Sequence, residues 1–288
     1  MTQVLVNGVF VGLIYALFSL GMVVVYDGSR RINFAHGETG MIGAFVFATV
    51  SQDHGLPVPI AIVGAIAVSA ALGVLTERLV ARPLGDQSQL TTMLGTFGIG
   101  AFLLVMAAEI FGAGLRVQPP LIQGTPIEVG GLLITRHQLL AGAVAIALFA
   151  GVELLYRHTR IGIYLQAIAM TPASAQVIGL PVNACSMLTW GLSGALAAVA
   201  AILISPLVTM SIGFMSALLV RGVSALVLGG FNRAFLVGGA AVAIAELEGI
   251  IQLEFSTAGL TEVVLAGAIV AVLLARPLAL SAEREATA

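Results

Sequence analysis

Residues 139–149 read Leu-Leu-Ala-Gly-Ala-Val-Ala-Ile-Ala-Leu-Phe, and residues 195–204 read Ala-Leu-Ala-Ala-Val-Ala-Ala-Ile-Leu-Ile. Neither run has a polar side chain on any face. A helix at a water boundary keeps a polar stripe, so helices apolar all round belong in a large core or in a bilayer. Composition decides between the two. Of the 288 residues, 59% are hydrophobic and 9% charged, against about 25% charged in an average soluble domain. Too few charges remain to cover a water-facing surface, so much of the surface faces lipid.

A helix needs roughly 20 mostly apolar residues to span a bilayer. Windows 4–26, 58–80, 90–111, 138–156, 186–208, 234–252 and 257–275 qualify. Windows 36–52 and 214–231 are shorter or carry polar breaks, which makes them candidates for broken or re-entrant helices. The expectation is an all-α polytopic membrane bundle of eight or nine segments, forming a single domain over 1–288. The alternating pattern of a membrane barrel is absent. No basic n-region precedes the first apolar stretch, which is expected to stay as a helix. Arginines orient the chain. Arg78 and Arg82, Arg157 and Arg160, and Arg276 and Arg284 mark cytoplasmic connections, while Ser51–Pro59 has no arginine. The N-terminus is then outside and the C-terminus inside. Arg116 and Arg136 fall on the outer side, in the long loop 112–137.

Several chemistries are excluded. All 12 basic residues are arginine, so no Walker A phosphate loop can form and the chain is not itself a P-loop ATPase. A net charge of −2 without a basic stripe argues against nucleic acid. Cys185 is the only cysteine, and His36, His54, His137 and His158 are scattered, so no metal site is expected. HExxH, GxSxG and CxxC are absent, and no catalytic residue is expected.

Three places carry polar groups that need a reason. The first is Asn33-Phe34-Ala35-His36-Gly37-Glu38, lying between apolar segments. Asn33 is a candidate cap. Gly37, Gly40 and Gly43 leave one helix face bare for close packing. The free N–H groups at such a helix start suit a carboxylate, and Glu38 suits an ammonium. The alternative is a polar inter-helix loop held by structural hydrogen bonds, with His36 a neutral bonder. The second is Arg160–Asn183. Thr171 as N-cap, Pro172 at the first helical position and Gly179 as a left-handed stop predict a two-turn helix, Pro172–Ile178. A helix this short needs support from its own bundle or from a docked partner. The third is charge inside spans: Arg221, Glu246 and Glu248, with Arg221 and Glu246 expected to pair. Gly8 and Gly12 form a GxxxG packing pair on the first helix.

These residues resemble a known family. Asn7-Gly8 with Tyr15-Ala16-Leu17, Ile32 through Glu38, Glu77-Arg78 with Arg82-Pro83-Leu84, Thr96-Phe97-Gly98, Arg160-Ile161-Gly162 through Gly179, and Arg221 through Gly230 with Ala245-Glu246 together resemble the membrane permease of Liv-type ABC importers for branched-chain amino acids. Phe231-Asn232-Arg233 stands where that family has a Gly-Ser-x-Pro-Gly turn. The resemblance implies a permease in a bacterial inner membrane that performs no bond chemistry. Its partners would be a second, related permease, two cytoplasmic ABC ATPases that bind ATP and magnesium, an extracytoplasmic solute-binding protein and membrane lipid. It implies an ATPase contact at Thr171, Pro172, Ala173, Gln176 and Gly179. The candidate pathway is Asn33, Ala35, His36, Gly37, Glu38, Arg221 and Glu246. The cargo would be branched-chain amino acids or related amides, urea or aromatic acids. The competing readings are a sugar-type ABC permease, which the Asn33–Gly37 motif disfavours, and an ATP-independent channel or secondary transporter.

Overall fold

The structure, a computed structural model, describes residues 1–85, 87–170, 172–231, 233–255, 260, 263–264 and 266–268. The expected span 257–275, the arginines at 276 and 284, and Thr171 lie outside the described residues or largely so, as do the side chains of Pro172 and Ala173.

Ten α-helices follow in order: α1 (Thr2–Ser29), α2 (His36–Ala48), α3 (Val58–Thr76), α4 (Gln89–Phe111), α5 (Arg136–His158), α6 (Arg160–Met170), α7 (Pro172–Val177), α8 (Val182–Ile204), α9 (Ser216–Gly229) and α10 (Ala234–Glu254). Single π turns extend α2 over Thr49–Asp53 and α3 over Glu77–Ala81. Six helices among the described residues are long and apolar enough to cross a membrane: α1, α3, α4, α5, α8 and α10. The expected eight or nine segments therefore do not all appear as helices of spanning length. The α2 and α9 helices have 13 and 14 residues, about 20 Å at 1.5 Å per residue, against a hydrocarbon layer of about 30 Å.

Helix starts follow local chemistry. Thr135 and Gln138 form a reciprocal capping box on α5, with Gln138 N–H donating to Thr135 Oγ1 at 3.2 Å and Thr135 N–H to Gln138 Oε1 at 2.8 Å. Ser88 caps α4 by accepting from Thr91 N–H. Among the described residues a single hairpin breaks the helical pattern, in the loop between α4 and α5: β1 (Ile127–Val129) pairs antiparallel with β2 (Leu132–Ile134). The turn between them has Gly130 and Gly131 at φ 59° and 82°, as a tight hairpin demands. Arg116, expected on the outer side, pairs with the turn that ends α2: its Nη1 donates to Asp53 Oδ2 at 3.0 Å.

The core centres on α1 and α8. Leu17, Phe18, Phe45, Ala197, Ala201 and Leu226 are fully buried in it. Gly8 and Gly12 do pack as the GxxxG pair suggests. A Cβ at Gly12 would come within 2.7 Å of the Val242 Cα, so α1 and α10 touch almost backbone to backbone. Exposed Leu94, Phe102 and Val105 on α4, and Ile60 and Val63 on α3, form the apolar outer rim of a multi-pass membrane protein.

Candidate functional site

The path of the chain around α2 and α9 builds the site. His36, the first residue of α2, lies level with Phe18: its Nε2 donates to the Phe18 carbonyl at 3.0 Å. Phe18 is more than halfway along α1, whereas Ser29 ends that helix. Residues 30–35 therefore climb back along α1, over about 16 Å at 1.5 Å per residue, before α2 begins in mid-bundle. From there α2 runs alongside α8 in the same direction, with His36 beside Ser193 and Gly40 beside Ala197. The α9 helix runs the other way. Its Gly222 packs on Phe18 and Met22, and Phe231, just beyond its end, meets the Tyr26 ring at 5.1 Å. Two half-helices thus start at one level and diverge. Ser216, the first residue of α9, donates to Glu38 Oε1 in the first turn of α2 at 3.2 Å.

Glycines make this approach feasible. A Cβ at Gly37 would lie 3.2 Å from the Met215 carbonyl, and one at Gly40 would lie 2.8 Å from the Ala197 carbonyl. The bare face expected from the glycine spacing is real, with Gly37 against α9 and Gly40 and Gly43 against α8. Asn33 acts differently from the expectation. The residue before α2 is Ala35, and no side chain caps it. Asn33 Oδ1 instead accepts from Ala35 N–H at 3.0 Å, holding the turn that leads into the helix. Phe34 N–H donates to Thr96 Oγ1 at 3.1 Å, fixing the same turn to α4. His36 is fully buried, with Ser193 Oγ at 3.0 Å from Nδ1 and the Phe18 ring at 4.4 Å. Both ring nitrogens are occupied, the arrangement of a structural hydrogen bonder.

Glu38 is 6% exposed. Its Oε1 accepts from Ser216, and its Oε2 has no partner among the described residues. It lies at the edge of a cavity of about 440 Å³ between α2, α4 and α9, lined by Phe34, Phe97, Leu104, Leu219 and Val223 among others. Two half-helix N-termini are the positive ends of their backbone dipoles, and a carboxylate is favoured where they meet.

The charges of α9 and α10 pair otherwise than expected. Arg221 bonds Glu248, not Glu246: Nε donates to Oε2 at 2.8 Å and Nη2 to Oε1. Tyr15 Oη donates to the same Oε2 at 3.0 Å, and Gln252 Nε2 to Oε1 at 3.3 Å. Two residues of helix are about 200° of rotation, so Glu246 and Glu248 point to different faces. The face of Glu246 lies over Gly8, where a Cβ would meet its Cδ at 2.9 Å. Both of its carboxylate oxygens are buried without a partner among the described residues. Sequence reasoning singled out Glu248 but did not give it the arginine, and it missed Tyr15, Ser193 and Ser216. No local pattern marks Ser193 or Ser216, and the run Tyr15-Ala16-Leu17 gives no hint of the pairing, because each works across helices remote in sequence.

The connection after α6 folds as a short helix, α7, and Gly179 takes φ 83° at its end. Ala175 is buried against Leu165, Ile168 and Cys185. Met170, Val177 and Ile178 are 83%, 88% and 74% exposed, and Gln176 and Gly179 are exposed as well. Among the described residues no group of three His, Cys, Asp or Glu side chains could hold a metal ion.

Among the described residues six apolar helices of spanning length pack with two opposed half-helices, the architecture of a polytopic membrane transporter. The chain belongs to the family described as branched-chain amino acid transport system / permease component, which matches residues 4–273. It is 31% identical over 292 residues to the high-affinity branched-chain amino acid transport system permease protein BraD of Pseudomonas aeruginosa, covering 96% of this chain and 94% of that one. It is 30% identical over 261 residues to LivH of Escherichia coli K12, a high-affinity permease protein of the same description, covering 85% and 84%. A probable LivH permease of Methanocaldococcus jannaschii is 28% identical over 199 residues, covering 64% and 60%.

Proposed function

We propose that this chain is a permease subunit of an inner-membrane ABC importer, a single domain that carries branched-chain amino acids by alternating access. The observation that carries the reading is the meeting of α2 and α9 at Glu38 and Ser216 in a chain of this family. In this reading 30–53 and 205–229 each cross as an extended arm joined to a half-helix. Counting the apolar sequence window 257–275 as a further span, the path has nine segments, N-terminus outside. A second permease completes the translocation path, an extracytoplasmic binding protein delivers the solute, and two ATPase subunits hold ATP and magnesium.

The segment 171–179 is the contact for an ATPase, with Thr171, Pro172, Ala173, Gln176 and Gly179 at the junction. Exposed Val177 and Ile178 support this, because a soluble partner is the natural cover for apolar side chains on a cytoplasmic helix. The test is uptake into proteoliposomes holding the complete assembly. Leucine, isoleucine and valine should enter only with ATP, while urea, amides and aromatic acids enter more slowly. Ala173→Arg should abolish uptake without preventing membrane insertion. Solute flux through this chain without ATPases would overturn the reading in favour of a channel.

A further inference from the structure

We propose that Glu38 Oε2 receives the α-ammonium group of the transported amino acid, whose aliphatic side chain rests against Phe34, Phe97, Leu104, Leu219 and Val220. The inference rests on the importer reading and deepens it to one subsite. Four observations support it.

The carboxylate is only half used. Oε1 is held by the Ser216 hydroxyl, while Oε2 is buried with no partner among the described residues. A buried oxygen left unpaired is costly, and a donor that arrives and leaves with the cargo removes that cost only while cargo is bound. The second observation is charge. The first turn of α2 and the start of α9 both present positive dipole ends beside this carboxyl group, which offset negative charge on it while a cationic guest is bound.

The third is the wall. Of the ten side chains or glycines lining the cavity of about 440 Å³, Glu38 and Ser216 alone are polar. An apolar cleft with one carboxylate, open on the side of exposed Phe97 and Val220, matches an amino acid with an aliphatic side chain, and the volume lies in the range of small-molecule sites. Urea and short amides offer donors but no body to fill the cleft. The fourth is Gly100. A Cβ there would stand 3.3 Å from Oε2 and 3.5 Å from the Ala35 Cα. Glycine keeps the approach to the unpaired oxygen open.

The experiment uses the assembled transporter of this chain, its partner permease, the ATPases and the binding protein. A hydrophobic carbodiimide should modify Glu38 in at least one nucleotide state. Isoleucine and isopentylamine, which carry an ammonium, should protect it, and 4-methylpentanoate, which lacks one, should not. Glu38→Gln should raise the KM for leucine uptake about tenfold, the scale of a charge-assisted hydrogen bond, and Gly100→Ala should raise it less. Equal protection by 4-methylpentanoate, or no modification of Glu38 in any state, overturns the subsite. Leucine uptake by Glu38→Gln within twofold of wild type overturns it too, while leaving the importer reading intact. A wild-type assembly that hydrolyses ATP and takes up no aliphatic amino acid defeats both.

Discussion

Arg221 and Glu248 form a two-point ion pair across α9 and α10, and the Tyr15 hydroxyl from α1 closes it into a three-helix knot. The two charged side chains are 11% and 12% exposed. A charge left alone at such a site is worse than no charge. Arg221→Met or Glu248→Leu alone is therefore expected to cost about 3–5 kcal/mol, and the double substitution much less. Thermal unfolding of the detergent-solubilised chain through a double-mutant cycle measures this, and simple additivity would contradict it.

Glu246 offers the opposite case. Its two oxygens are buried over Gly8 with no partner among the described residues. Replacing it with Leu removes an unsatisfied group and is expected to raise the melting temperature. Gly8→Ala should lower it in the wild type, because a Cβ would press on the carboxylate carbon at 2.9 Å. In a Glu246→Ala background the same Gly8→Ala change should be close to neutral. A Gly8→Ala penalty that persists there would mean that α10 backbone, not Glu246, occupies the space.

Comparing these two carboxylates shows what the sequence could and could not reveal. That intramembrane charges pair was legible from their cost. Which acid pairs with Arg221 depends on the azimuth of α10 against α9, and one sequence does not specify it. The broken segments at 36–52 and 214–231 were legible from polar residues and short apolar runs. Hydropathy cannot tell a helix that crosses from one that starts in the middle, so six helices of spanning length stand among the described residues against the eight or nine segments expected. The glycines at 37, 40 and 43 announced a packed face, whereas the role of Asn33 turned on two residues of register, since Ala35 and not Asn33 precedes the helix. Ser216 carried no signal at all, since its importance comes from a contact 178 positions away.

His36 is expected to matter for stability more than for proton movement. It joins α1 to α8 through the Phe18 carbonyl and Ser193. His36→Ala would leave a void and two unpaired groups, for a loss of about 3 kcal/mol. Ser193→Ala removes one bond and should cost about 1 kcal/mol. Equal effects of the two in thermal unfolding would show that the ring is not held as described.

The last prediction concerns how motion at α7 reaches α2. Arg82 binds Glu77 at two points, Nη2 to Oε2 at 2.8 Å and Nε to Oε1 at 3.2 Å, and Glu77 is 1% exposed. The same Nη2 lies 3.4 Å from the Asn183 carbonyl, at the start of α8 just past the α7 segment. On the other side Arg31 donates to the carbonyls of Ala81 and of Gly85, the latter at 3.1 Å. Arg31 stands on the arm that leads directly to Asn33 and Glu38. The π turn over Glu77–Ala81 is thus tied both to the exit of α7 and to the entrance of α2. If these ties transmit ATPase motion, Arg82→Ala and Arg31→Ala should abolish ATP-driven uptake while the ATPases still co-purify. Arg82→Lys should rescue little, because one ammonium cannot reproduce a two-point guanidinium contact. Uptake at wild-type rates in Arg82→Ala, with normal assembly, would exclude this route, since a merely adjacent residue need not carry coupling.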